Sequence, residues 1–576
     1  MPSGRTAEQQ PGLAQTISLS SNVANTAPVS AIVHAARIAD RTVPANRSGI
    51  GSQPRVLEPP SVPSSQATLP NLRIDWKPAL QSRTTIIPWA LLAILIVQAG
   101  LSLRLVWSNT AFLDEATYLY AGHEELHYLF AHGTLTVPGQ NGYYQTYFSG
   151  APILYPILGA IADSVGGLAG ARLLSLVFML CATTLLYWTA SRLYDRRVAT
   201  AAVGIFAVLS PTQFLGAFAT YDAMALSLMA LAAFLAVKSA QEDDNTFTLV
   251  ISCLALVLAD ATKYAVTIFD PVVIGLAVLA SVPNRSWPQA RRHGWRAVGY
   301  SATMVGILLA AGGHTYLTGA MSTTFARPSG DSSAAVVLHE SWKWVGVVAV
   351  VAALAVIVHI VREPGGRIWM SGLLAGAVLL VPLEQARIHT TTSLQKHVDF
   401  GAWFASIAVG YVTAKVIPVV SKRAQFALVT PAAAALIAGA LVVTVPQATA
   451  LYQEWNNSSS AVAALRPWAR NVNVLAEGYT VYSYYLGNEV PLQRWGNTWY
   501  LEYVDPESGR KLTGLPAYQD AIRHHYFGTV ALSYGDTDPL DQKIIAAMSA
   551  AGSYKRVVHL RQGNSWFDVY HDVRTR

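Results

Sequence analysis

The chain has 576 residues, of which 52% are hydrophobic and only 13% charged, and its mean hydropathy is +0.33. That is too apolar for an ordinary soluble protein of several domains and describes an integral membrane protein with soluble ends. The net charge of +7 points to membrane orientation rather than nucleic acid, because Lys and Arg cluster between apolar runs; Cys181 and Cys253, far apart inside such runs, indicate neither a disulfide framework nor a zinc site.

Residues 1–84 are rich in Ser, Pro, Ala, Gln and Asn, without a sustained hydrophobic period or the apolar core of a signal peptide. They read as a disordered cytoplasmic tail. The first apolar span, residues 86–107, follows Lys77 and Arg83, which puts the N-terminus in the cytoplasm and the next loop outside. That loop, about residues 108–156, opens with Asp114 and Glu115 and continues through Tyr118, Tyr120, His123, Glu124, Glu125 and His127, a mixture suited to helices lying in the membrane interface.

Spans at 168–190 and 198–218 lead to a short external turn, Ala219-Thr220-Tyr221-Asp222, before a span at 223–237. Residues 247–282 form one apolar stretch of two short spans, broken at Asp260, Lys263 and Asp270-Pro271. Basic flanks on both sides make it a hairpin, with Lys263 near its outer apex. Five further spans, at 297–316, 344–361, 368–383, 400–417 and 426–445, bring the count to about eleven and leave the C-terminus outside. The last long external loop, residues 384–399, contains Arg387, His389, Lys396 and His397.

From residue 451 the composition is that of a soluble domain. Strands are expected at 472–476, 490–495, 529–533, 556–560 and 566–571, and helices at 517–525 and 539–551, giving a small extracytoplasmic α/β domain. Nothing in it resembles a nucleotide-binding glycine motif or a metal-spaced cluster of His and Cys.

The outward-facing charges are Asp114, Glu115 and Asp222 against Lys263, Arg387, Lys396 and His397. A carboxylate among cations suits proton abstraction from a hydroxyl while a phosphate departs, as in sugar transfer from a lipid phosphate. Plainer readings exist for each residue. Asp114 and Asp222 are well placed as helix caps, Lys263 as a partner of Asp260, Lys396 and His397 as interface anchors, and the loop tyrosines as an interface belt.

The Asp-Glu pair after the first span, the Ala151-Pro152-Ile153-Leu154-Tyr155-Pro156 segment before Ala171-Arg172-Leu173-Leu174-Ser175, the Asp222 turn and the Thr262-Lys263 pair resemble the GT-C superfamily of membrane glycosyltransferases. More narrowly, they resemble its protein O-mannosyltransferase and aminoarabinose transferase branch. The resemblance implies an all-α membrane bundle at residues 85–450 and an inverting transferase that takes its sugar from a polyprenyl-phosphate donor and gives it to an extracytoplasmic lipid, glycan or protein. It implies Asp114 as general base with Glu115 beside it and Asp222 as the second external aspartate, and Lys263, Lys396 and His397 as substrate contacts; Arg387, from the charge pattern, and Tyr118, as part of a sugar platform, are further expected contacts. No metal is assigned. The basic residue that aminoarabinose transferases carry shortly after the first aspartate has no clear counterpart here, and His123, His127 and His132 are the nearby candidates. The expected location is the cytoplasmic membrane of a prokaryote. Two other classes fit parts of the pattern: a secondary transporter coupling through Asp260, Lys263 and Asp270, and a non-catalytic scaffold for envelope assembly.

Overall fold

A computed structural model describes residues 88–131, 154–242, 245–323, 329–362, 367–416, 438–535 and 537–575. The expected tail and the later part of the first loop with His132 lie outside the described residues. Among the described residues up to 451 the elements are helices: α1 (Trp89–Val106), α2 (Leu113–Ala131), α3 (Leu154–Leu193), α4 (Arg196–Val208), α5 (Ser210–Leu215), α6 (Tyr221–Gln241), α7 (Thr246–Thr262), α8 (Asp270–Leu279), α9 (Trp287–Thr323), α10 (Ala334–Arg362), α11 (Arg367–Arg387), α12 (Leu394–Val416) and α13 (Ala438–Leu451). Five of these, α1, α3, α6, α10 and α11, are long and apolar enough to cross a membrane, and α7, α8 and α13 are shorter apolar helices.

Local chemistry sets the breaks. The 40-residue α3 is two helices joined at Gly166 and Gly167, and Gly167 adopts φ +60°, a conformation open to glycine but costly for other residues. The single span expected at 198–218 divides at Leu209, whose extended backbone precedes Pro211 of α5. Asp195 caps α4 by accepting the backbone N–H groups of Arg197 and Val198. Between α7 and α8 a 3-10 turn, Tyr264–Phe269, leaves Lys263 in extended backbone at the break. The helices pack through a core that includes Trp403 of α12, whose indole N–H donates to the Ala182 carbonyl of α3 at 2.9 Å. At Gly410 of α12 the α4 backbone comes so near that a Cβ would lie 2.6 Å from the Val198 carbonyl oxygen.

The C-terminal part is mixed α/β, with α14 (Ser459–Ala469), β1 (Val474–Ala476), α15 (Tyr479–Leu486), β2 (Trp495–Asn497), β3 (Glu502–Val504), β4 (Lys511–Thr513), α16 (Gly514–Arg523), β5 (Thr529–Leu532), α17 (Asp538–Ala551), β6 (Tyr554–Gln562) and β7 (Ser565–Asp572). Its main sheet has the order β2-β1-β5-β7-β6, parallel in the first three strands and antiparallel in the rest; β3 and β4 form a separate antiparallel hairpin. The strand expected at 490–495 is displaced, because Pro491 leads into a 3-10 turn and pairing begins only at Trp495.

Candidate active site

The site forms where α2, α6, the α7–α8 break and the start of α12 meet. Asp114 and Glu115 occupy the first turn of α2, where the helix dipole favours negative charge, yet they point into different environments. Glu115 is fully buried. Its Oε1 accepts from Arg172 Nε at 2.8 Å and from the Ala219 N–H at 2.8 Å, and its Oε2 accepts from an Arg172 terminal nitrogen at 2.7 Å and from the Phe112 N–H at 3.0 Å. Four donors on one carboxylate leave it no room to act as a base. Its place is in the wall that holds the α1–α2 turn.

Arg172 is the residue whose role the charge pattern did not reveal, although a charge inside an otherwise apolar span was the available signal. Besides Glu115, its guanidinium donates to the carbonyls of Val106 at 2.8 Å, Asn109 at 2.9 Å and Thr110 at 3.1 Å. The other side of the turn is gripped from the C-terminal part of the chain. Asn109 Nδ2 donates to the Tyr452 and Trp455 carbonyls, Trp455 Nε1 donates to the Thr110 carbonyl, and the Ala111 N–H donates to the Tyr485 hydroxyl at 2.8 Å.

Asp114, in contrast, keeps a partly exposed side chain and pairs with Lys396 Nζ at 2.7 Å. Asp222 is fully buried, takes Lys263 Nζ at 2.5 Å and accepts from the Thr220 hydroxyl at 2.8 Å. The two pairs are neighbours: Asp222 experiences the charges of Lys396 and His397, and Lys263 that of Asp114. Aromatic rings line the cations, with Phe218 at 5.4 Å from Lys396 Nζ and Tyr221 at 4.7 Å from Lys263 Nζ. Tyr118 lies against Tyr221 with ring centroids 4.6 Å apart. His397 Nδ1 accepts from the Gln385 amide at 2.8 Å.

Six of the eight candidate site residues, Asp114, Asp222, Lys263, Lys396, His397 and Tyr118, therefore converge, and Glu115 stands directly behind them. Arg387 does not join: its side chain is 66% exposed and paired to Glu384 within α11. His123 is also turned away, bound through Nε2 to Asp163 at 2.7 Å. Lys263 pairs with Asp222, not with Asp260, which lies near Asp270 instead. The two carboxylates at the centre are matched by two ammonium groups, Lys396 and Lys263.

A family model described as dolichyl-phosphate-mannose-protein mannosyltransferase matches residues 150–311, the segment that supplies Arg172, Asp222 and Lys263. Among solved structures, the oligosaccharyltransferase of Archaeoglobus fulgidus superposes with a TM-score of 0.51 at 12% identity, over 84% of this chain and 74% of its own. AglB from the same organism, in complex with an inhibitory peptide and a dolichol-phosphate, gives 0.48 at 11% identity over 84% and 74%. ArnT from Cupriavidus metallidurans bound to undecaprenyl phosphate gives 0.36 at 12% identity over 83% and 97%. No curated protein sequence matches the chain. The fold is thus similar to that of the Archaeoglobus fulgidus oligosaccharyltransferase, here a helical bundle with a small α/β part. The resemblance expected from the loop motifs is borne out, with the family model matching residues 150–311.

Proposed function

We propose that the chain is a membrane glycosyltransferase that moves a hexose or pentose from a polyprenyl-phosphate donor to an acceptor hydroxyl or amine on the outer face of the cytoplasmic membrane. The acceptor is a lipid, glycan or protein, and the α/β domain lies on the same face. The observation that carries this reading is the pair of adjoining ion pairs, Asp114 with Lys396 and Asp222 with Lys263. A base and two cations beside one another are what transfer from a phosphate requires.

In this mechanism Asp114 takes the acceptor proton as the acceptor atom forms its bond to the anomeric carbon. The bond from that carbon to the phosphate oxygen breaks, and the electron pair leaves with the polyprenyl phosphate. Lys396 and Lys263 neutralise the charge that develops there. Attack from the side opposite the phosphate inverts the anomeric carbon. Asp222 fixes the Lys263 ammonium, Glu115 and Arg172 fix the turn that carries Asp114, and Tyr118 and His397 border the sugar. Arg387 has no part in the transfer.

The test is an assay with polyprenyl-phosphate sugars and envelope acceptors. Asp114→Asn should abolish transfer while the purified protein keeps its helical content; transfer that persists in this variant would remove Asp114 as the base. Because the substitution leaves Lys396 without its 2.7 Å counter-ion, the double variant Asp114→Asn, Lys396→Met serves as the folding control.

A further inference from the structure

A second cluster of ligating groups lies in the α/β domain. Asp505 opens the connection between β3 and β4, Asp520 is on α16, and His524 caps the end of that helix. One ligand atom from each of the three falls within 4.8 Å of the others. Asp520 is 3% exposed. Its Oδ1 is held by Arg523, while its Oδ2 has no hydrogen-bond partner and faces His524 Nδ1 at 3.4 Å, too long for a hydrogen bond. A buried carboxylate oxygen without a donor is costly unless a positive group takes it.

The His524 ring has its own hydrogen-bond acceptor within reach, the Asp520 carbonyl at 3.1 Å from Nδ1, while Nε2 lies 3.4 Å from Glu507 Oε1. Asp505 is pre-shaped by the Glu507 N–H at 2.9 Å and the Ser508 hydroxyl at 2.5 Å. With Nδ1–H donating to the Asp520 carbonyl, Nε2 is the nitrogen left to ligate, and its 3.4 Å from Glu507 Oε1 matches the edge of about 3.3 Å in a tetrahedron with metal bonds of about 2.0–2.1 Å. An imidazole among carboxylates favours Zn2+ over Ca2+ or Mg2+.

We propose that Asp505, Asp520 and His524 form a divalent-metal site suited to Zn2+, with Glu507 as an exposed fourth donor. The metal clamps the β3–β4 connection onto α16. It would add to the packing of Tyr503 and Leu512 on α16, which already holds a hairpin whose strands are only three residues each. The inference is independent of the transferase reading.

The full chain, purified in detergent and stripped with a chelator, is titrated with ZnCl2 while bound zinc and thermal unfolding are followed. One zinc per chain is expected, with a raised Tm. The affinity should fall by roughly 100-fold or more in Asp520→Asn, His524→Gln and, separately, in Asp505→Asn, which is half-buried in the β3–β4 connection and keeps its side-chain shape; circular dichroism checks that the fold is kept. Absence of stoichiometric zinc would overturn the site, as would zinc retained unchanged by both variants, which would place the ion elsewhere. Preference for CaCl2 over ZnCl2 in competition would overturn the assigned metal.

Discussion

Glu115 and Arg172 form a two-pronged, fully buried ion pair in which the three guanidinium hydrogens not spent on Glu115 are all donated to carbonyls of the α1–α2 turn. Arginine is the residue for this position because its five donors lie in one plane and fan out at fixed angles. Lysine at 172 would satisfy three of the acceptors at most. Arg172→Met and Glu115→Gln should each lower stability by about 3–5 kcal/mol, the scale for removing one side of a buried pair, read as a lowered Tm in detergent, with Arg172→Lys losing less. Transfer activity should fall with it, because Asp114 sits one residue from Glu115 and loses its fixed direction.

The lysines separate from one another kinetically. On the proposed mechanism, Lys396→Met removes both the partner of Asp114 and a charge beside the leaving phosphate, so kcat should fall by about 10²–10³-fold, the scale for losing one preorganised charge-stabilising group. Lys396→Arg keeps the charge and should recover part of the rate. Lys263→Met leaves Asp222 buried without its cation and should cost stability as well as rate, which a thermal melt run beside the assay resolves.

The charges that converge were visible as carboxylates and cations at the same ends of apolar spans, since membrane sidedness restricts which loops can meet. Partner choice was not visible. Lys263 and Asp260 have helical spacing, but the helix ends at Thr262 and Lys263 turns to a carboxylate 41 positions away. Glu115 and Asp114 look equivalent as neighbours in a chain. They differ because successive helical residues point about 100° apart, one to a buried arginine and the other to a lysine at the site. Arg387 shared a loop with Lys396, and only tertiary packing distinguishes the exposed side chain from the buried one.

Tyr485 connects the α/β domain to the turn that precedes Asp114. Its hydroxyl accepts the Ala111 N–H three residues before Asp114, and Tyr484 beside it donates to Asp163 at 2.6 Å, its hydroxyl held protonated by burial and by that carboxylate. Tyr485→Phe leaves an interior N–H without an acceptor, a cost of about 1–3 kcal/mol. The expected signature is a lowered kcat with KM for the donor little changed, because the substitution shifts the turn without touching the lysines. An equal loss in Tyr484→Phe, which leaves Ala111 satisfied, would show that domain docking in general, not this hydrogen bond, is what matters.

Asp541 of α17 gives the domain a pH dependence. The residue is buried beside Glu477, which already accepts the N–H groups of Ser533, Gly535 and Thr537 and the Ser533 hydroxyl. Burial first, and then the Glu477 charge, raises the Asp541 carboxyl to about 8, so at neutral pH it is protonated and donates to Glu477. A carboxyl whose folded value lies above its unfolded value, about 3.9, contributes its full stability below that unfolded value. The contribution is lost as pH rises towards 8, because the unfolded chain ionises through this window and the folded chain does not. Stability should therefore decline between about pH 4 and pH 8. Asp541→Asn keeps a donor to Glu477 and cannot ionise, so its Tm should exceed that of the parent chain near pH 8 and converge with it near pH 4. Parallel Tm curves for the two proteins across this range would show that Asp541 is ionised in the folded domain.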